Sequence, residues 1–336
     1  MSITIKEIAK LAGTSRATVD RVIHNRGNVN KDLEEKIKKI IKETNFTVNE
    51  FGRGLVNLGK KFHIYLIINS IGNEFFETVL NSMVATASQF KNITLVIDKL
   101  KGYNEKEQVK SIKKAKNNSN IDLLIITPIN SEQVINELKD IEIPIITVNN
   151  DLEIERLAFV GCNYINSGEI AGDLAKLTLN KEDNILIVAG SFKLIGHKQR
   201  VSGFQSNLNK YSNNYHFDVI ENEDDDLTSY NIVKQHIAHK KYDLIYFCAG
   251  GIKGGIKAVQ EVNKDLKIIT VDETKAVIES LKNDLIIGTV TQQPLKQGSA
   301  AINLAIDYLI YGKKPKKIIN YTSNDVKLKN SFFREE

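Results

Sequence analysis

The sequence predicts an α/β protein, with a small all-α headpiece at the N-terminus and a larger two-lobed core of parallel sheets flanked by helices. Three observations carry that prediction. The first 44 residues repeat apolar side chains at helical spacing, with a tight, glycine-containing turn between two short helices. From Phe62 onward, short apolar runs alternate with amphipathic stretches almost to the end of the chain. Charge divides at the same place: residues 1–61 carry 13 Lys and Arg against 7 Asp and Glu, and the other 275 residues carry 33 against 34.

A chain of 336 residues is long for one domain and implies two or three compact units. Its 42% hydrophobic and 26% charged residues are ordinary for a soluble globular protein. No apolar run reaches the length of a membrane span and no signal-peptide core is present, so a cytoplasmic protein is expected. Cys162 and Cys248 each end an apolar run, which predicts buried reduced thiols. The six histidines show no metal-binding spacing, and no metal site or cofactor is expected.

Between Thr4 and Asn25, Ile5, Ile8, Ala9 and Leu11 give one apolar face, and Ala17, Val19, Val22 and Ile23 give a second. Gly13 suits the left-handed turn that ends the first helix, and Ser15 is placed as the N-cap of the next. The pattern is that of a helix-turn-helix, whose second helix enters the major groove of DNA. A third helix, Lys31 to Thr44, supplies Leu33, Ile37, Ile40 and Ile41 for a shared core. Arg16, Arg21 and Arg26 lie on or just beyond the second helix, and the basic excess of this segment is what phosphate binding requires.

Residues 48–61 read as a linker with a short helical pattern in Phe51, Leu55, Val56 and Leu58, weakened by Gly52, Gly54 and Gly59. Such a segment is expected to become helical only against a partner.

In the core, the apolar runs are Ile64–Ile68, Ile93–Ile97, Leu123–Thr127, Ile143–Val148, Ile185–Ala189, Leu244–Cys248, Ile268–Val271 and Ile286–Val290. Amphipathic helices between them include Glu77–Gln89, Ser131–Asp140, Glu169–Thr178, Leu227–His239 and Leu295–Leu309. About ten such strands exceed one compact doubly wound sheet of ordinary size. A break near Leu157 to Asn163 therefore divides two similar lobes, with a ligand cleft between them. The expected division is headpiece 1–47, linker 48–61 and core 62–336, with one lobe near 62–160 and 291–322 and the other near 161–290 and 323–336.

The chain resembles, end to end, the lac repressor family of bacterial transcription regulators. The resemblance is carried by TIKEIAKLAGTSRATVDRV, Val29, the third helix, Phe46, Asn49 and the GRGL of residues 52–55. It implies DNA contacts by Thr4, Ser15, Arg16, Ala17, Thr18, Arg21, Asn25, Asn49 and Arg53, with Leu55 as a wedge in the central minor groove. Asp20 stands where a small Ser is usual in the family, and Gly52 and Gly54 where Ala and a small polar residue are common. Asp20 implies weaker non-specific binding or a partner in Arg16 or Arg21, and the glycines imply a hinge helix that depends on DNA and dimer contacts.

The lobes resemble ribose-type periplasmic binding proteins of type I fold. The resemblance implies an effector site of Asn73, Phe75, Phe76, Thr127, Asn149, Asn150, Arg200, Gly250, Asp272 and Gln292. Phe75 and Phe76 would pack on a sugar ring, while Arg200, Asp272 and Gln292 would bond its oxygens. Asn149 and Asn150 replace the Asp-Arg of ribose binders, so the ligand need not be ribose.

Two motifs remain open. Gly250 to Gly255 follows a strand and opens a helix, where backbone N–H groups can cradle a phosphate; glycine for close packing is the alternative, with Lys253 as the residue to test. Glu221 to Asp226 has five carboxylates in six positions without the glycine-spaced loop of a calcium site, and reads as a solvated turn. No nucleophile and base recur in a catalytic context, so no enzyme is expected. The function predicted is a homodimeric transcription regulator, a repressor that binds pseudo-palindromic operator DNA under the control of a sugar or polyol, phosphorylated or free. The alternative is a sugar-binding protein or sugar enzyme with a basic appendage.

Overall fold

The computed structural model describes residues 3–23, 27–44, 57, 59–210 and 214–332. The chain forms two compact units, residues 1–56 and 57–336.

The smaller unit holds helices α1 (Ile5–Ala12), α2 (Arg16–Ile23) and α3 (Lys31–Glu43). Helix α1 starts with a capping box. The Thr4 N–H donates to the Glu7 carboxylate at 2.7 Å, and the Glu7 N–H donates to the Thr4 hydroxyl at 3.3 Å. It ends at Gly13, which has φ +72°, a conformation glycine adopts without strain. Ser15 caps α2 as expected, accepting from the Thr18 N–H at 3.2 Å. The shared core is Ile8, Ala9, Ala12, Val19, Val22 and Ile37. Leu11 is a correction: it is 57% exposed, and Ala12 fills the core position. The stripe runs 5, 8, 9 and 12, and Leu11 falls off it by one residue. Ala17 is likewise exposed instead of contributing to the second apolar face.

The larger unit contains two six-stranded sheets. Their strands are β1 (Phe62–Ile71), β2 (Ile93–Lys101), β3 (Leu123–Ile126), β4 (Ile145–Val148), β5 (Ala158–Cys162), β6 (Asn184–Ala189), β7 (His216–Glu221), β8 (Leu244–Phe247), β9 (Lys267–Val271), β10 (Gly288–Thr291), β11 (Ile319–Thr322) and β12 (Asp325–Lys327). The first sheet runs β11-β5-β4-β3-β1-β2 and the second β12-β10-β9-β8-β6-β7. All pairings are parallel except β10 with β12. The helices are α4 (Glu74–Ala87), α5 (Glu105–Lys116), α6 (Glu132–Lys139), α7 (Tyr164–Lys176), α8 (Ile195–Asn209), α9 (Asp226–His239), α10 (Ile252–Val262), α11 (Lys275–Lys282) and α12 (Pro294–Tyr311).

Burial on both faces explains the unbroken apolar runs of the central strands. Ile64, Leu66 and Ile68 of β1 enter one core with α4 and α12, while Tyr65 and Ile67 enter another with α5 and α6. In the second sheet, Phe204 of α8 stacks on Tyr246 of β8 at 4.5 Å, inside that lobe's core.

Strands β7, β11 and β12 escape the apolar-run criterion because they are edge strands with at most one buried face. Strand β5 occupies the stretch read as the lobe break; the break follows it, at Asn163. The chain passes between the sheets again at residues 292–293 and 323–324. These crossings are tied together, for the Asn324 amide donates to the Asn163 carbonyl at 2.9 Å.

Of the linker, residues 48–56 lie outside the described residues, including Gly52 and Gly54. Asn57 belongs to the larger unit, where its buried amide donates to the Ile310 carbonyl at 2.8 Å. No helix among the described residues is long and apolar enough to cross a membrane. Both cysteines are free and buried.

Candidate functional site

The carboxyl ends of both sheets face a cavity of about 370 Å³ between the lobes. Segments after β1, β4, β5, β6, β7, β8, β9 and β10 line it, which brings together residues 199 apart in sequence, Asn73 and Asp272.

The first lobe contributes Asn73, Phe75, Phe76, Asn149 and Asn150. Asn73 is the N-cap of α4, its side-chain oxygen accepting from the Phe76 N–H at 3.2 Å, so one of its polar atoms is committed to the fold. Phe75 and Phe76 are buried edge to face, 5.3 Å between ring centres. The Asn150 amide donates to the Pro128 carbonyl at 2.6 Å.

The second lobe contributes Arg200, Gly250 and Asp272, with Gln292 at the crossing between the lobes. Arg200 is 2% exposed; it donates to the Cys248 carbonyl at 2.9 Å and to the Ser167 hydroxyl at 3.3 Å, and lies 4.8 Å from the centre of the Tyr164 ring. Asp272 accepts from the Gln292 amide at 2.7 Å. Burial pushes the Asp272 carboxyl up, and Arg200 and the Gln292 amide pull it partly back. Both Arg200 and Asp272 stand on this lobe, so they form no ion pair across the cleft.

Nine predicted effector residues thus line one cavity, and Thr127 does not. Thr127 is fully buried at the end of β3, its carbonyl accepting from the Gln108 amide while its hydroxyl has no protein partner. Asn69 and Ser70, at the end of the adjacent β1, are also buried without side-chain partners.

Residue types and spacing did not mark Tyr103, Tyr164 and His197, while Asp224, from the acidic stretch read as a solvated turn, lines the cavity instead. The Tyr103 hydroxyl donates to the Asp224 carboxylate, joining the loop after β2 to the loop after β7 and so the two lobes. The Tyr164 hydroxyl donates to the Asn149 carbonyl, again across the cleft. Burial, foremost, raises both phenols, which keeps them protonated donors. Further bonds join the lobes from Asn130 N–H to the Lys193 carbonyl at 2.8 Å and from Lys275 N–H to the Glu74 carboxylate at 2.9 Å. Asn149, Asp224, Asp272 and Gln293 adopt positive φ of 56–69°.

Cys162 borders this site, its thiol donating to Gln292 Oε1 at 3.4 Å. Burial pushes the Cys162 thiol up to about 11 and that of Cys248 to about 12, so neither is a thiolate at neutral pH.

In the headpiece, Ser15, Arg16, Ala17 and Arg21 are exposed, with Thr18 half-buried against the Ser15 hydroxyl at 3.0 Å. Thr4 is exposed but its side chain is held in the capping box. Asn25, Arg26, Asn49, Arg53 and Leu55 lie outside the described residues.

Residues 4–49 match the lacI family of bacterial regulatory proteins, and residues 64–314 match the periplasmic binding protein domain. The chain belongs to the periplasmic binding protein domain family and carries a lacI-family segment at its N-terminal end. Similar proteins include the transcriptional regulator DegA of Bacillus subtilis (strain 168), 27% identical over 210 residues, which are 61% of this chain and 60% of DegA. The ribose import binding protein RbsB of the same organism is 22% identical over 268 residues, 78% of this chain and 86% of RbsB. Among solved structures, GanP, a glucose-galactose binding protein from Geobacillus stearothermophilus, has a TM-score of 0.72 and 22% identity, covering 81% of this chain and 99% of GanP. A solute binding protein from Agrobacterium vitis with bound D-fucose has a TM-score of 0.75 and 17% identity, covering 80% and 96%. Both likenesses are of fold.

Proposed function

We propose that this chain is a sequence-specific DNA-binding transcription regulator, a repressor, whose operator affinity is set by a sugar or polyol in the inter-lobe cavity. The observation that carries the reading is the pairing, in one chain, of a capped helix-turn-helix exposing Ser15, Arg16, Ala17 and Arg21 with a cavity walled by Phe75, Phe76 and convergent polar groups. DegA, a transcriptional regulator, and RbsB, a ribose import binding protein, support its two halves by similarity.

In this reading a homodimer in the cytoplasm presents two α2 helices to the half-sites of a pseudo-palindromic operator, with Asn25, Asn49, Arg53 and Leu55 completing the contact. Ligand changes the lobe arrangement by binding one state more tightly than the other, which is the only source of such a shift. Gel shift on pseudo-palindromic DNA at physiological salt, with and without candidate sugars, tests it. Specific binding that a sugar alters is expected. Absence of specific binding under every condition would leave a sugar-binding protein with a basic appendage.

A further inference from the structure

The glycine-rich and acidic stretches that the sequence leaves unexplained meet in the cavity wall. Gly250 to Gly255 opens α10, with Gly251 at φ +74°. Its backbone N–H groups are the ones a phosphate would use. The acidic loop has taken two of them: the Gly250 N–H donates to Asp224 Oδ1 at 2.7 Å, and the Gly254 N–H to Asp226 Oδ1 at 3.1 Å. The Asn222 amide closes the same contact from the other side, donating to the Gly250 carbonyl at 2.8 Å. The glycines admit this loop: a Cβ on Gly254 would lie 1.7 Å from the Asp226 carbonyl oxygen, and one on Gly250 would lie 3.1 Å from Asp224 Cβ.

Charge points the same way. The cavity wall holds five carboxylates against two cations, Arg200 and Lys253. Arg200 already donates to Cys248 and Ser167, and the exposed Lys253 is outnumbered. Carboxylates only accept hydrogen bonds, so they match ligand hydroxyls and repel ligand anions.

We propose that the cavity takes an uncharged polyhydroxyl ligand, a free sugar or polyol, and rejects phosphorylated sugars because Asp224 and Asp226 already occupy the anion cradle of the glycine-rich loop. This rests on the reading of the cavity as the effector site, and it makes Asp224 and Asp226 specificity-determining residues.

The test is thermal shift on the full chain with inorganic phosphate, using sulfate-free buffer matched in ionic strength with chloride. Free sugars and their 6-phosphates are run in parallel. In the wild type, millimolar phosphate is expected to leave Tm unchanged. D224A/D226A, which frees the Gly250 and Gly254 N–H groups, is expected to bind phosphate at least tenfold more tightly than the wild type does. A Tm rise with phosphate or a sugar 6-phosphate in the wild type overturns the proposal, and so does a folded D224A/D226A with no gain. If the double variant does not fold, D224A alone is read in the same way. Failure of every free sugar to shift Tm counts against the effector-site reading, while the phosphate arm still decides this one.

Discussion

The two walls of the cleft differ in kind. The first lobe offers neutral groups, the rings of Phe75 and Phe76 and the amides of Asn73, Asn149 and Asn150; the second offers most of the ionised ones, with Arg200, Asp224 and Asp272 at its centre. The neutral wall suits the apolar face and the hydroxyls of a sugar ring. The charged wall orients the ligand, because charge-assisted hydrogen bonds are stronger and more directional than neutral ones. A ligand therefore gains its full set of contacts only when both walls close on it, and the Tyr103 and Tyr164 hydroxyls bond one lobe to the other.

The largest expected effect falls on the charged wall. Arg200→Ala should abolish the effector response and cost about 3 kcal/mol of stability, since it leaves the buried Cys248 carbonyl unpaired and opens a cavity. Titration of operator complexes with effector and chemical denaturation check the two halves; retained response would move the ligand site elsewhere.

Tyr103→Phe removes the bond between the walls and little volume. About a tenfold loss of ligand affinity with the fold intact is expected, and unchanged affinity measured by calorimetry would show that closure does not depend on this contact.

A smaller effect concerns pH. Burial depresses the pKa of His197, which accepts from the Ser191 N–H at 2.9 Å. Its neutral form is favoured by folding, so its contribution is present above the unfolded value of about 6.5 and is lost as pH falls from there through the folded value. His197→Gln should flatten the fall of Tm between about pH 6.5 and 5; an unaltered slope would assign that fall to carboxylates.

The smallest effect is expected at Thr127. Because its buried hydroxyl has no protein partner, Thr127→Val should change stability by less than about 1 kcal/mol and leave ligand affinity unaltered. A loss of affinity would place Thr127 in the neutral wall after all.

The headpiece was almost fully legible because its determinants are local. Gly13 and Ser15 act within one turn, and the stripe of Ile8, Ala9, Val19 and Val22 follows from helical spacing alone. Of the two residues misplaced on the apolar faces, Leu11 and Ala17, Leu11 was an error of a single position on that wheel. Central strands other than β5, which was read as the lobe break, were legible for the same reason, since burial on both faces leaves a mark in every residue. Edge strands β7, β11 and β12 leave no such mark.

The site divides along the same line. Resemblance to sugar-binding lobes supplied Phe75, Arg200, Asp272 and Gln292, whose loops keep a fixed place at strand ends. Tyr103 and Asp224 are 121 residues apart and meet only because two sheets face each other. The sequence by itself determined the helices, the paired α/β lobes and the charge division, all of which arise from short-range periodicity and composition. Only the tertiary structure decided which carboxylates fill the glycine-rich loop and which tyrosines close the cleft, because those contacts depend on distances between segments that no local pattern encodes.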